Sequence, residues 1–272
     1  MRPADRRRAP RRAPLASLAP LAALVLLACA TSGDHTQHAA QAARAGPRAD
    51  PAAIVAAADR TPQDRALDPG RHPAEMLAFL DARPGMRVAD LGAGAGYTTE
   101  LLARAVGPTG TVYSQNPKGF VAMVGEFWSQ RLARPALARA VRVERDFDDP
   151  LPPEARQLDL VVMNVIYHDT IWLKTDRAHM NRAIFEAIAP GGAFVVIDSS
   201  AADGAGEAAA YELHRIEESL VRREVEAAGF RLAGSSDFLR NPSDARDWNS
   251  APNEAGARRG TSDRFALRFV KP

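Results

Sequence analysis

The stretch VADLGAGAGYTTELL, Val88 to Leu102, constrains the fold more than any other segment of the chain. A short apolar run leads into three alternating glycines, Gly92, Gly94 and Gly96, and a helical sequence begins directly behind them. Glycine permits positive φ and lets a ligand approach the backbone with no Cβ in the way. The helix that follows turns its free N–H groups toward the same space. A turn that only reverses the chain seldom needs three glycines. The segment therefore reads as the carboxyl end of a first strand in a parallel sheet, with a ligand above it.

The rest of the chain supports such a sheet. Pro73 begins a short amphipathic helix, PAEMLAFLDA, and Pro84-Gly85 turns the chain into the first strand. TTELLARAV is a helix, GTVYSQN a strand, FVAMVGEFWSQRLA a helix and AVRVERD a third strand. LDLVVMNVIYH is nearly all apolar, which predicts a fourth strand buried on both faces. DRAHMNRAIFEAIA is a helix that stops at Pro190-Gly191-Gly192, before a fifth strand, AFVVID. AAAYELHRIEESLVRREVEAAG reads as one long helix, FRLAGSSDF as a sixth strand and RFALRFV as the last. This alternation predicts an α/β fold with a doubly wound, mainly parallel seven-stranded sheet and helices on both faces.

The first residues do not belong to that pattern. Six arginines up to Arg12 precede an apolar run from Leu15 to Ala28, broken only by the polar Ser17. Such a run is short for a permanent span of ~30 Å of hydrocarbon and suits the core of a signal peptide, placed at residues 1–28. Leu26-Leu27-Ala28-Cys29 resembles the bacterial lipobox, in which the cysteine is acylated and becomes the new N-terminus. Cys29 is the one cysteine of the chain, so no disulfide within the chain competes for it. Arg11-Arg12 faintly resembles a twin-arginine signal, but Pro14 fits it poorly. Residues 29–58 read as a lipidated N-terminus and tether, with His35 and His38 as linker residues, and 59–272 as the folded domain. The expected location is the cell envelope, with the lipid as the sole membrane contact.

Removal of residues 1–28 also changes the charge. The whole chain carries 35 basic and 33 acidic residues. The removed part holds six Arg and one Asp, leaving 29 against 32 and a net charge of −3. No basic stripe remains, so nucleic acid is not an expected partner. The sequence has no bearing on oligomeric state.

The identity of the ligand turns on position 97. A dinucleotide fingerprint, G-x-G-x-x-G, requires glycine there, and this chain has Tyr97, which disfavours a nicotinamide-linked oxidoreductase. The pattern D-L-G-x-G-x-G-Y, from Asp90 to Tyr97, instead resembles the first motif of class I S-adenosylmethionine-dependent methyltransferases. GTVYSQN, RDFDDPLP, LDLVVMNVIYHD, IAPGGAFVVIDSS and VEAAGFRL resemble that family's later motifs in order and spacing, over residues 72–272. The resemblance implies S-adenosylmethionine as cofactor. It implies that Asp90, the Gly92–Gly96 backbone and the adjoining Tyr97 hold the methionine part. By the same resemblance Asp146 and Phe147 border the adenine, and Asn164 lies beside the sulfonium. Position 116 departs from the pattern, because Asn116 stands where the family has an acidic residue for the ribose hydroxyls. Glu126 and Glu144 are the candidates to substitute for it.

Methyl transfer from a sulfonium is an in-line displacement, so positioning the acceptor carries most of the catalysis. His168, in Tyr167-His168-Asp169-Thr170 beyond the fourth strand, is the candidate general base, with Asp169 as its orienting partner. Tyr211, His214, Arg215 and Glu218 are expected on one face of the long helix. His168, Asp169, Asp198 and His214 have no metal-ligand spacing, so no metal is expected. The sequence thus predicts methyl transfer from S-adenosylmethionine to a small-molecule acceptor. The rival expectation is a non-catalytic cell-envelope lipoprotein that binds a ligand with the same fold.

Overall fold

The computed structural model describes residues 47–272; the signal segment, Cys29 and the first part of the tether lie outside them. Seven strands form one sheet: β1 (Arg87–Leu91), β2 (Thr111–Asn116), β3 (Ala140–Glu144), β4 (Leu158–Asn164), β5 (Ile188–Ser199), β6 (Arg231–Ser236) and β7 (Arg264–Val270). Their order is β3-β2-β1-β4-β5-β7-β6. Strands β1 to β5 pair in parallel, and β7 is antiparallel to both its neighbours. The order runs outward from β1 to β3 and restarts with β4 on the other side of β1. The connections leaving β1 and β4 therefore part above their carboxyl ends, where a ligand crevice opens in such sheets.

Alternation along the strands divides the core in two, as a period of two requires. Val88, Val112, Val162 and Val195 point to one face. There they meet Ile54 of α1 (Pro51–Ala56), Leu77 of α3 (Pro73–Leu80) and Leu101 of α4 (Tyr97–Val106). Leu91, Met163, Phe194 and Val196 point to the other. They pack with Ile184 of α7 (Arg177–Ala187) and Val225 of α9 (Glu218–Ala227). β4 is buried on both faces as its composition predicts, Leu160 and Val162 lying on one side and Val161 and Met163 on the other.

The N-terminal part is more ordered than its composition suggests. Residues 51–56, expected within the tether, are helical. Asp50 caps α1 by accepting from the Ala52 N–H at 3.0 Å, and Ile54 is buried in the core. Helix α2 (Pro62–Arg71) follows, an element not anticipated. Its apolar residues are few, Ala66 and Leu67 beside two prolines, but Thr61 caps it and Pro62 takes its first turn. Buried Arg60 clasps Asp68 with two 2.7 Å hydrogen bonds and fixes α2 against α1.

Two boundaries also differ. The fifth strand begins at Ile188, which pairs with Leu158 ahead of a register shift, so Pro190-Gly191-Gly192 lies within β5, with Pro190 and Gly191 exposed and Gly192 buried. The long helix expected over 208–229 is two. α8 (Ala208–Leu213) ends at His214, which is left-handed with φ 49°. Ile216 then bridges Ser200, and α9 starts at Glu218. Tyr211, His214, Arg215 and Glu218 therefore share no face. Arg215 breaks the helix by turning inward, where its fully buried guanidinium donates to Asp244 at 2.8 Å and to Ser200 O at 3.0 Å. A buried charge of this kind requires such partners, and the local helix yields to them.

Candidate active site

The glycine loop between β1 and α4 is held from below by the end of β2. Gln115 Oε1 accepts from the Gly92 N–H at 2.9 Å. Asn116 accepts from the Gly94 N–H at 2.8 Å and donates to Gly94 O at 3.0 Å. Asn116 is fully buried beneath the loop. From the other side Arg131, on α5 (Lys118–Leu132), donates to Ala95 O at 2.6 Å and pairs with Asp64 and Glu100. The glycines have distinct reasons. A Cβ on Gly92 would come within 2.4 Å of Ile166, while one on Gly94 would meet nothing within 4 Å. Gly94, at φ 56°, borders open space.

That space is a cavity of about 720 Å³, inside the range of roughly 300–1,000 Å³ typical of small-molecule sites. Asp90, Gly92, Gly94, Tyr97, Asn164, His168 and Asp169 line it, and they come from β1, β4 and the segments behind them. Phe120, Met123 and Trp172 make an apolar wall, with the Phe120 and Trp172 rings stacked 6.0 Å apart. Asp90 is buried and accepts from Thr99 Oγ1 at 2.6 Å, which anchors the start of α4. Burial pushes its carboxyl up to about 7, only partly offset by the Thr99 hydrogen bonds. No cationic side chain bonds to Asp90 among the described residues. Asn164 donates to Thr98 Oγ1 at 3.1 Å.

Other expected residues lie off the cavity wall. Phe147 is buried edge-on against Phe120, and Asp146 accepts from the Lys118 N–H at 3.1 Å, at the outer start of α5. Both stand behind the apolar wall and outside the cavity lining. Glu126 accepts from Gln130, and Glu144 from Arg142, so neither takes the place of an acid at position 116. Tyr97 donates to Asp68 at 2.6 Å, and Arg71 lies over its ring at 4.3 Å.

The fold gathers a cluster that sequence spacing did not foretell. His168 is buried, with Nδ1 at 2.7 Å from Asp198 and Nε2 at 3.0 Å from Asp169. His214 Nδ1 lies 3.3 Å from His168 Nε2 and 3.5 Å from Asp169. The orienting carboxylate of His168 is thus Asp198, at the end of β5, while Asp169 occupies the nitrogen that a base would use. Burial depresses the His168 pKa, but the two carboxylates outweigh it and hold the imidazole up at about 10. Val165, next to Asn164, is a β-branched residue held left-handed at φ 57°, a strained conformation that sets where these residues emerge.

Sequence reasoning missed the positive side of the cavity. Arg71, Arg259 and Arg264 line it, and no carboxylate pairs with any of the three among the described residues. Arg264 is buried and donates to the Gly70 and Gly260 carbonyls. Burial and the nearby Arg71 push its pKa down to about 10. Arg71 stands far in sequence from Arg259 and Arg264, so only the packing of α2 near the start of β7 brings the three together.

Comparison with known proteins agrees with this geometry. Residues 62–119, which run from α2 through the glycine loop to β2, match the family model for protein-L-isoaspartate(D-aspartate) O-methyltransferase. A protein-L-isoaspartate O-methyltransferase of Aeropyrum pernix is 54% identical over 39 residues, which is 14% of this chain and 15% of that protein. The chain thus aligns with only a small part of that relative's length. Among solved structures, a SAM-dependent methyltransferase from Aquifex aeolicus superposes with a TM-score of 0.54 at 18% identity, over 77% of this chain and 97% of that one. An arsenic(III) S-adenosylmethionine methyltransferase from Chlamydomonas reinhardtii gives 0.51 at 15% identity, over 84% and 75%. The fold is shared with these S-adenosylmethionine-dependent methyltransferases, and the matched segment, with its glycine loop, is that of a methyltransferase family model.

Proposed function

We propose that the protein transfers a methyl group from S-adenosylmethionine to an acidic acceptor bound in the cavity beside the glycine loop. The observation that carries this is the uncovered Gly94 edge, where a cavity opens at the carboxyl ends of β1 and β4. Two features fit the cofactor. Asp90 is a buried carboxyl with no cationic side chain bonded to it, and the more distant Arg71 charge only partly offsets its burial, which leaves a place for an ammonium group. The Phe120 wall offers an apolar face for an adenine ring. Bound there, S-adenosylmethionine supplies an electrophilic methyl group on a sulfonium. Asp90 and the loop would hold its amino-acid end.

Acceptor binding falls to the other side. Arg71, Arg259 and Arg264 also line a second cavity that contains no residue of the glycine loop, so their charge reaches space beyond the cofactor end. An acceptor with a carboxylate or similar anion suits them. The protein-L-isoaspartate O-methyltransferases that this chain matches in part have an acceptor of that kind in their name, but the match ends at residue 119, before the acceptor side. Asp198 and Asp169 take both ring nitrogens of His168, so we assign the rate to positioning of an acceptor that is already ionised. A lipid-anchored, exported form through Cys29 belongs to the same proposal, and partitioning of Cys29→Ser away from membranes tests it.

The rival reading, a binding protein without turnover, drew on Asn116 and on the export signal. The clasp of Asn116 on both polar groups of Gly94 gives that residue a structural reason and removes the first of those supports. Calorimetry of the full chain with S-adenosylmethionine and S-adenosylhomocysteine tests the main reading. Binding of both is expected, and a Gly94→Val variant that stays folded should bind neither. Equal binding by that variant would move the site elsewhere.

A further inference from the structure

We propose that His168, Asp169 and His214 form a site for one divalent cation of the zinc class, with an open coordination position facing the cavity. The inference stands apart from methyl transfer, because it rests on the geometry of these three side chains alone. Their atoms His168 Nε2, Asp169 Oδ1 and His214 Nδ1 lie 3.0, 3.3 and 3.5 Å apart. A tetrahedral ion with bonds of about 2.0–2.1 Å sets its ligand atoms about 3.3–3.4 Å apart, since a tetrahedron's edge is about 1.63 times its centre-to-corner length. The observed triangle straddles that spacing, so an ion seats on it with small adjustments. Two imidazole nitrogens and one carboxylate form the donor set of a catalytic rather than a structural zinc site, in which a further position stays free.

The surroundings are those of a built site. A metal-bound histidine donates its other ring N–H to a carboxylate, which fixes the tautomer and ring angle. Asp198, fully buried, holds that place at 2.7 Å from His168 Nδ1. It is itself fixed by the N–H groups of His168 at 2.9 Å and Ser199 at 2.7 Å. The proton on Nδ1 leaves Nε2 as the ligand atom. Trp172 Nε1 donates to Asp169 at 2.7 Å and orients that carboxylate. His214 is presented by its left-handed backbone, held by Ser250, which donates to the Leu213 and His214 carbonyls at 2.9 and 2.6 Å. Asp169 and Asp198 together carry two negative charges, which balance a dication when both imidazoles are neutral. His214 is about a third exposed toward the cavity, which gives the ion a way in.

The alternative is a hydrogen-bonded cluster that never meets a metal, in which a protonated His168 bridges Asp198 and Asp169. Cation binding separates the two. Full-length protein, stripped with chelator, is titrated with Zn²⁺ by calorimetry and with Co²⁺ by visible absorption. His35→Ala/His38→Ala is the background, so that the N-terminal histidines cannot report. We expect one equivalent of either ion per chain, and for Co²⁺ the intense visible bands of a four- or five-coordinate site. His214→Ala and Asp169→Asn should each weaken binding at least tenfold. Asp198→Asn, which keeps all three ligands, should weaken it by roughly 10–100-fold. Melting curves establish that each variant is folded, and Asp169→Asn keeps the acceptor for Trp172 should His214→Ala unfold. Absence of a stoichiometric ion, or binding that survives both ligand variants, would overturn the proposal.

Discussion

Asn116 holds Gly94 by both of its polar backbone groups, accepting from the N–H at 2.8 Å and donating to the carbonyl at 3.0 Å. Only a side-chain amide offers a donor and an acceptor in that arrangement. The residue that departs from the methyltransferase pattern thus shapes the loop from beneath. Asn116→Asp should lower stability by about 1–3 kcal/mol, because it leaves the Gly94 carbonyl unpaired against a buried carboxylate. Cofactor affinity should fall with it. Were Asn116 a weak stand-in for a ribose-binding acid, the same change would tighten binding, so calorimetry and a melting curve of one variant decide the matter.

Asp90 should make cofactor affinity depend on pH. Its folded pKa is about 7 against 3.8 for a free side chain. Between those values the folded chain keeps a proton that the unfolded chain has released. Its contribution to stability therefore falls as pH rises from about 4 to 7 and is level above that. An ammonium group beside Asp90 favours the ionised form. Affinity for S-adenosylmethionine should rise by up to about tenfold per pH unit below pH 7 and flatten above it. Asp90→Asn should bind weakly at all pH values, and a profile like that of the wild type would remove Asp90 from the site.

The Arg215–Asp244 pair should be costly to break. Asp244 also accepts from the Asp263 N–H and Trp248 Nε1, each at 2.6 Å, so it gathers the loop that precedes β7. Arg215→Leu leaves a buried carboxylate with no cation. A loss of about 3–5 kcal/mol is expected, read as a lower urea midpoint. The loop carries Arg259, so cleavage by protease between residues 241 and 260 should also become faster.

Ile54 marks where the folded domain begins. A protein started at residue 59 loses α1 and the apolar contact of Ile54 on the core, and it should melt well below one started at 47. Ile54→Ala alone should cost about 2–4 kcal/mol. Equal melting of the two truncated forms would restore residues 47–58 to the tether.

Arg71 should report the acceptor's charge. Arg71→Met keeps the stacking on Tyr97 and removes the cation. Once an acceptor is found, its KM should rise at least tenfold while cofactor affinity stays within about twofold. The reverse outcome would assign the arginines to the cofactor's own carboxylate.

The sequence by itself determined the sheet and the loop. Strand alternation, the apolar run of β4 and three glycines behind Asp90 are local signals, written in periods of two and in residues that tolerate positive φ. The place of the crevice follows from them, but the order of the strands, with β7 antiparallel between β5 and β6, does not. Tertiary structure decided what local signals cannot carry. Helix α2 offers few apolar residues to read, because much of its surface presents Asp64, Asp68 and Arg71 to partners elsewhere in the chain. The helix over 208–229 breaks where Arg215 turns inward to Asp244, a partner 29 residues away that no local period announces. His168, Asp169, Asp198 and His214 have no shared spacing in sequence. They meet because β4 and β5 end side by side and the chain after α8 folds back over them, an arrangement set by the packing of the whole sheet.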